Sequence, residues 1–216
     1  MDVTLNAHEA RALGALVEKE LTTPEYYPLS LNALTAACNQ KSNREPVMSL
    51  SEQEVEQAVM SLKNKRLAWR LASAGGRVPK YEHNVTVHYS LSTDEAAVLC
   101  TLLLRGPQTA GEIRQRTMRM HEFPDLAALD TTLQRLQERD NGPFIAQAPR
   151  APGRKEARYM HLFGDQSPAP DDGPDTSPDQ ETGDGRDELH DQIAALRRDL
   201  DALRDEFDAL KNQLMG

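Results

Sequence analysis

A mainly α protein with small β elements, an α+β fold, is what this 216-residue sequence predicts. Three observations predict it. Stripes of Leu, Val and Ile recur at helical spacing behind Ser, Thr, Asn and Asp caps. Short alternating runs flank glycine-bearing tips. The whole succession of elements then occurs a second time.

Asn6 caps the first helix, and Glu9 three residues later closes a capping box. Ala10, Leu13, Leu16, Val17 and Leu21 follow at helical spacing, which carries the helix to about Glu20. Residues 22–29 form a connector bounded by Pro24 and Pro28, with Tyr26 and Tyr27 expected to pack the loop onto the body. Ser30 caps a short helix with Leu31, Leu34, Ala37 and Cys38 on its apolar face. The stretch 39–50, NQKSNREPVMSL, is polar and basic, and Pro46 forbids a helix through it. Ser51 and Glu54 form a second capping box for a helix over 51–65, buried through Val55, Val59 and Leu62.

Leu67, Trp69 and Leu71 then alternate with Ala68 and Arg70 and read as the buried face of a strand. The chain turns at Gly75, Gly76 and Arg77. Tyr81, His83, Val85 and Val87 alternate on the return strand. Helix, turn, helix and a two-stranded wing is the core of a winged-helix domain.

The order recurs from Leu91. Residues 5–16 align without a gap on 91–102, matching Leu5 to Leu91, Glu9 to Glu95 and Leu13 to Leu99. Thr109 caps a helix with Ile113, and Asp125 starts one with Leu129, Leu133 and Leu136. A strand from Phe144, a tip at Pro152, Gly153 and Arg154, and a return strand with Arg158, Tyr159 and His161 complete the copy. Two tandem winged-helix domains, 1–90 and 91–163, are expected. Tyr81, His83, Tyr159 and His161 are read as packing against the third helix of each domain.

Residues 164–186 hold four prolines and six aspartates with almost nothing to bury, so an acidic disordered linker of roughly 25–30 Å is expected. Over 187–214, Leu189, Ile193, Leu196, Leu200, Leu203, Phe207, Leu210 and Leu214 alternate spacings of four and three, a heptad seam. With Ile193 at a, the g positions Asp199 and Glu206 meet Arg204 and Lys211 at e of a parallel partner. The pattern therefore predicts a C-terminal coiled-coil helix and a parallel homodimer. The same stripe would also serve a helix laid back on its own body.

The string at 18–48, EKELTTPEYYPLSLNALTAACNQKSNREPVM, resembles the signature of the YceH family of uncharacterised bacterial proteins. The likeness covers 5–163 and continues into the heptad helix. It implies tandem winged-helix domains and brings no reaction, ligand or catalytic residue with it.

Charge is divided along the chain. Residues 1–163 hold 20 Lys/Arg and 19 Asp/Glu, whereas 164–216 hold 5 and 15. Net acidity therefore does not exclude a nucleic-acid partner. Cys38 and Cys100 sit in apolar helical patterns and read as buried side chains. No signal-peptide core opens the chain and no apolar run is long enough to span a bilayer, so a cytoplasmic protein without a membrane partner is expected. No Gly-rich phosphate loop, metal cluster or nucleophile motif occurs, so no enzyme activity, cofactor or metal is expected.

A helix-turn-helix and its wing suit DNA. The expected contacts are Asn39, Gln40, Lys41, Asn43 and Arg44 in the turn, and Arg77, Lys80, Arg154, Lys155 and Arg158 at the wings. Glu52, Glu54 and Glu56 at the start of the third helix oppose that reading, because this helix end should attract anions. The sequence thus points to a DNA-binding regulatory protein. A protein–protein interaction adaptor is the alternative.

Overall fold

α1 (Ala7–Thr22) begins where its cap places it. The Asn6 side-chain oxygen accepts the Glu9 N–H at 2.9 Å, and the Glu9 carboxylate accepts the Asn6 N–H at 2.8 Å. A short strand, β1 (Leu29–Ser30), precedes α2 (Leu31–Cys38), and α3 (Glu52–Asn64) starts from the Ser51–Glu54 box. β2 (Ala68–Leu71) and β3 (Lys80–His83) make a hairpin, and α4 (Val85–Tyr89) leads onward.

The second half repeats the order as α5 (Thr93–Arg105), β4 (Gln108–Thr109), α6 (Ala110–Thr117), α7 (Leu126–Glu138), β5 (Ile145–Gln147) and β6 (Arg158–His161). The structure, a computed structural model, describes residues 3–72, 78–148 and 156–164, all within one compact unit, Met1–Ala169. Among them, seven α-helices and two antiparallel sheets, ordered β1-β3-β2 and β4-β6-β5, give an α+β fold. The hairpin tips with Arg77, Arg154 and Lys155, the linker from 165 and the heptad seam from Leu189 to Leu214 lie outside the described residues.

Helical spacing predicts one buried stripe on the first helix of each half. The structure instead buries every residue from 9 to 18 and from 95 to 104. Each of these helices serves two cores. α1 packs on α2 and α3 of its own half and also on α5. At their contact the Cys100 thiol donates to the Gly14 carbonyl at 3.3 Å, across 86 residues of chain. Leu5 and Leu91 stand the same interval apart, so Gly14 and Cys100 are equivalent positions of the repeat. Equivalent positions meet in this way at a two-fold axis.

A Cβ on Gly14 would stand 2.9 Å from Leu104 Cγ. Glycine inside a helix ordinarily costs about 0.5–1 kcal/mol relative to alanine. Here the close approach reverses the sign. Gly14→Ala should lower stability by about 1–2 kcal/mol through overpacking. A urea midpoint at or above that of the parent chain would show that the helices separate at no loss.

A second device is also duplicated. Lys65 lies 2.6 Å from Glu9 and donates to the Thr4 carbonyl at 2.7 Å. In the second half Arg139 lies 3.6 Å from Glu95 and donates to the Ser90 carbonyl at 2.9 Å. Each cation sits just past the third helix of its half and pins the residues ahead of the first.

Four expectations are corrected. The return strand ends at His83, and Val85 and Val87 lie in α4. There Val85 and Tyr89 are buried four residues apart while Val87 is exposed, a helical rather than an alternating pattern. The β2 phase is also reversed. Ala68 pairs with buried His83 and Arg70 with buried Tyr81, so Trp69 and Leu71 share the outward face with Glu82 and Lys80. Leu67 is buried because it precedes the strand, where the chain leaves α3. Tyr81 and His83 lie on α1 rather than α3, with His83 Nε2 2.7 Å from Glu20. Finally, Tyr27 packs on the body and accepts the His83 N–H at 2.6 Å, but Tyr26 is exposed.

Candidate nucleic-acid interface

The turn after α2 is built as a clasp. The Asn39 side chain donates to the Leu50 carbonyl and accepts the Leu50 N–H, both at 2.7 Å, closing the loop between them. Gln40 accepts from Arg44 at 3.0 Å. Arg44 itself points inward, with a side chain 0% exposed. It donates to both Glu18 oxygens at 3.0 and 2.6 Å and to the Ala37 carbonyl at 3.0 and 2.8 Å. Arg44 is therefore removed from the set of surface contacts: its donors already have acceptors in the core.

Arg11, also buried, donates to the Cys38 carbonyl at 3.1 Å and to the Pro46 carbonyl. Burial holds Arg11 below its usual basicity, and the neighbouring Arg44 charge adds to this. Burial likewise pushes the Cys38 thiol up to about 12, far from a reactive thiolate. The outer edge of the loop meets the second half. Glu45 N–H donates to the Leu104 carbonyl at 2.9 Å, and Arg105 donates to Asn43. Of the five turn residues, only Lys41 projects without a side-chain bond among the described residues.

The wing residues divide similarly. Lys80 is exposed on the outward face of the first hairpin. Arg158 is half-buried, 3.3 Å from Glu112 and bonded to the Pro107 carbonyl at 3.0 Å. Among the described residues, Lys41 and Lys80 are the expected contacts that stand exposed without a side-chain bond.

A different set of cations lies close together in the sequence. Residues 63–83 hold six Lys/Arg and a single acid, Glu82. Lys65 is committed to Glu9, but Lys63, Arg66, Arg70 and Lys80 are exposed and form no ion pair among the described residues. Trp69, 41% exposed, and Leu71 share the outward face with Lys80, whereas Arg70 alternates to the face of Tyr81. The matching stretch of the second half, 137–161, holds five Lys/Arg against three acids. Reading the helix and the hairpin separately hid this cluster. A sliding charge count across their junction would have found it.

α3 is consequently polarised. Glu52, Glu54 and Glu56 occupy its first turns and Lys63 its last, as the helix dipole favours. The side-chain charge of α3 is thus acidic at its N-terminus and basic at its hairpin end.

One open cleft of about 590 Å³ lies where α4, α5 and α7 meet, lined by Tyr89, Ser90, Glu95, Arg135, Arg139 and Asn141 among others. Its arginines and Glu95 are engaged internally: Arg139 and Asn141 bond the Tyr89 carbonyl, Glu95 closes the α5 cap, and Arg135 pairs with Asp94. Among the described residues, no group of three or more His, Cys, Asp or Glu could hold a metal ion. No helix among them is long and apolar enough to cross a membrane.

A family model described as "Protein of unknown function, DUF480" matches residues 5–154. Proteins named UPF0502 are similar over most of their length. One from Geotalea daltonii is 57% identical over 178 residues, covering 79% of this chain and 81% of that one. One from Klebsiella pneumoniae is 52% identical over 169 residues, covering 76% and 78%. A third, from Pelobacter propionicus, is 49% identical over 221 residues and covers 99% of both chains.

Proposed function

The chain belongs to the DUF480 family, the YceH or UPF0502 proteins, and we propose that it is a tandem winged-helix protein that binds DNA. The repeated order of helix, short strand, two helices and hairpin supports the winged-helix reading. The observation that carries the DNA reading is the cation cluster at 63–83, in a body otherwise short of surplus positive charge. The mode differs from insertion of the third helix by its N-terminus. Phosphates meet Arg66 and Lys80 at the first hairpin, at the end of α3 remote from its acidic start. The heptad seam supplies a parallel homodimer, which doubles the cations available to one ligand. An adaptor that binds another protein is the second reading. The exposed Trp69 and Leu71 favour it.

The test is anisotropy of a labelled duplex with the full chain, at about 50 and 200 mM salt. The parent chain should bind at the lower salt and weaken steeply at the higher. Arg66→Glu combined with Lys80→Glu should lose about tenfold or more in affinity and flatten the salt dependence by about two ions. Absence of binding at the lower salt would remove the proposal.

A further inference from the structure

We infer that the outward face of the first hairpin takes an unpaired nucleic-acid strand, with a base stacked on Trp69. This rests on the DNA-binding reading and narrows its ligand. The internal duplication serves as the control. Ala68 pairs with His83 as Ile145 pairs with His161, so Trp69 corresponds to Ala146 and Leu71 to Ala148. The second hairpin forms with alanine at both places, so the fold itself does not call for a large apolar side chain there. β2 is an edge strand, with β3 its one neighbour among the described residues, which leaves its far side open.

The chemistry around Trp69 selects the occupant. An apolar partner alone would gain nothing from Lys80 on the same face or from Lys63 and Arg66 just ahead of the strand, all exposed and without ion pairs among the described residues. A duplex would satisfy those cations but offers no base face, because its bases are already stacked on one another. A single strand supplies phosphates for the cations and a planar base for the indole. Lys80 lies opposite Leu71 and Glu82 opposite Trp69, so a cation stands diagonally beside the ring on the same face. Backbone-tracking cations interleaved with an aromatic platform are the general means by which sheet surfaces hold single strands.

Trp69 is the single tryptophan of the chain, so intrinsic emission reports this site alone. The full chain is titrated with labelled oligo-dT of about 12 nucleotides and with a duplex of equal length, reading anisotropy and tryptophan emission together. Oligo-dT should bind more tightly than duplex and quench the emission. Trp69→Ala should weaken oligo-dT about tenfold while leaving duplex affinity unchanged. Trp69→Phe, which keeps a stacking face, should retain most of the affinity, and circular dichroism checks that both variants fold. Binding of oligo-dT without quenching, or equal affinity of the parent chain and Trp69→Ala, overturns the inference and leaves the DNA reading standing. No anisotropy change with either nucleic acid removes both. Quenching by an acidic, leucine-rich peptide but not by oligo-dT would assign the face to a protein partner and overturn the inference.

Discussion

Glu18→Ala should cost the folded protein about 3–5 kcal/mol, the penalty for stranding a buried charge. The Glu18 carboxylate, 11% exposed, accepts two bonds from a guanidinium that has no exposure at all. Arg11 is buried close by, with carbonyls rather than a carboxylate as its acceptors. Removing Glu18 leaves two cations in the core with carbonyls and the neutral Gln40 amide to hold them. Arg44→Met should cost less than Glu18→Ala, since it removes one of the two cations and leaves Glu18 close to the surface and to Lys19 at 3.6 Å. The double variant should be less damaged than the two single losses combined, because each partner strands the other. Urea midpoints of the four chains measure this directly. A Glu18→Ala midpoint within about 1 kcal/mol of the parent would mean that water reaches the pair and screens it.

The same pair explains the string at 18–48. Its two ends touch: Glu18 lies near the end of α1, and Arg44 returns to it from the loop after α2. Everything between must have the length and turns that allow this return. Arg44 looked like a surface cation because nothing local distinguishes it from Lys41. Its partner is 26 residues away, and only the tertiary fold brings them together.

What proved legible was local. The caps at Asn6, Ser30, Ser51, Thr109 and Asp125 form as expected, because a side chain and a backbone N–H three residues later need no outside help. The β2 phase was not legible. Alternation fixes that two faces differ but not which one is inward, and Leu67 supplied a false cue by being buried ahead of the strand. The all-round burial of α1 and α5 was likewise hidden. It arises from pairing one copy of the repeat with the other, and the apolar stripe of a single copy records just one of the two contacts. The exposure of Lys80 was legible from its place on the hairpin. Trp69 was assigned to the wrong face, and Arg66 and Arg70 were passed over.

Duplication also predicts where the protein is vulnerable to acid. His83 and His161 occupy equivalent places in β3 and β6, and both are buried. His83 faces Glu20 at 2.7 Å, and this contact holds the Glu20 carboxyl below its usual range. The position equivalent to Glu20 in α5 is Gly106, so the second half has no carboxylate at that place. His161 is buried, and desolvation lowers its pKa from 6.5 to about 4. Below pH 6.5 the unfolded chain takes up a proton that the folded chain refuses until about pH 4. Stability contributed by neutral His161 is thus present above its unfolded pKa and is lost as pH falls through that window. The loss should reach about 3 kcal/mol at the acid end. Asp94, held down to about 2, adds its own loss at lower pH, after its unfolded pKa near 3.8 is crossed. His161→Gln should flatten the stability profile between pH 6.5 and 4 while leaving the steeper fall below it. Identical slopes for parent and variant across that window would show that His161 is protonated in the folded state, through water admitted beside β6.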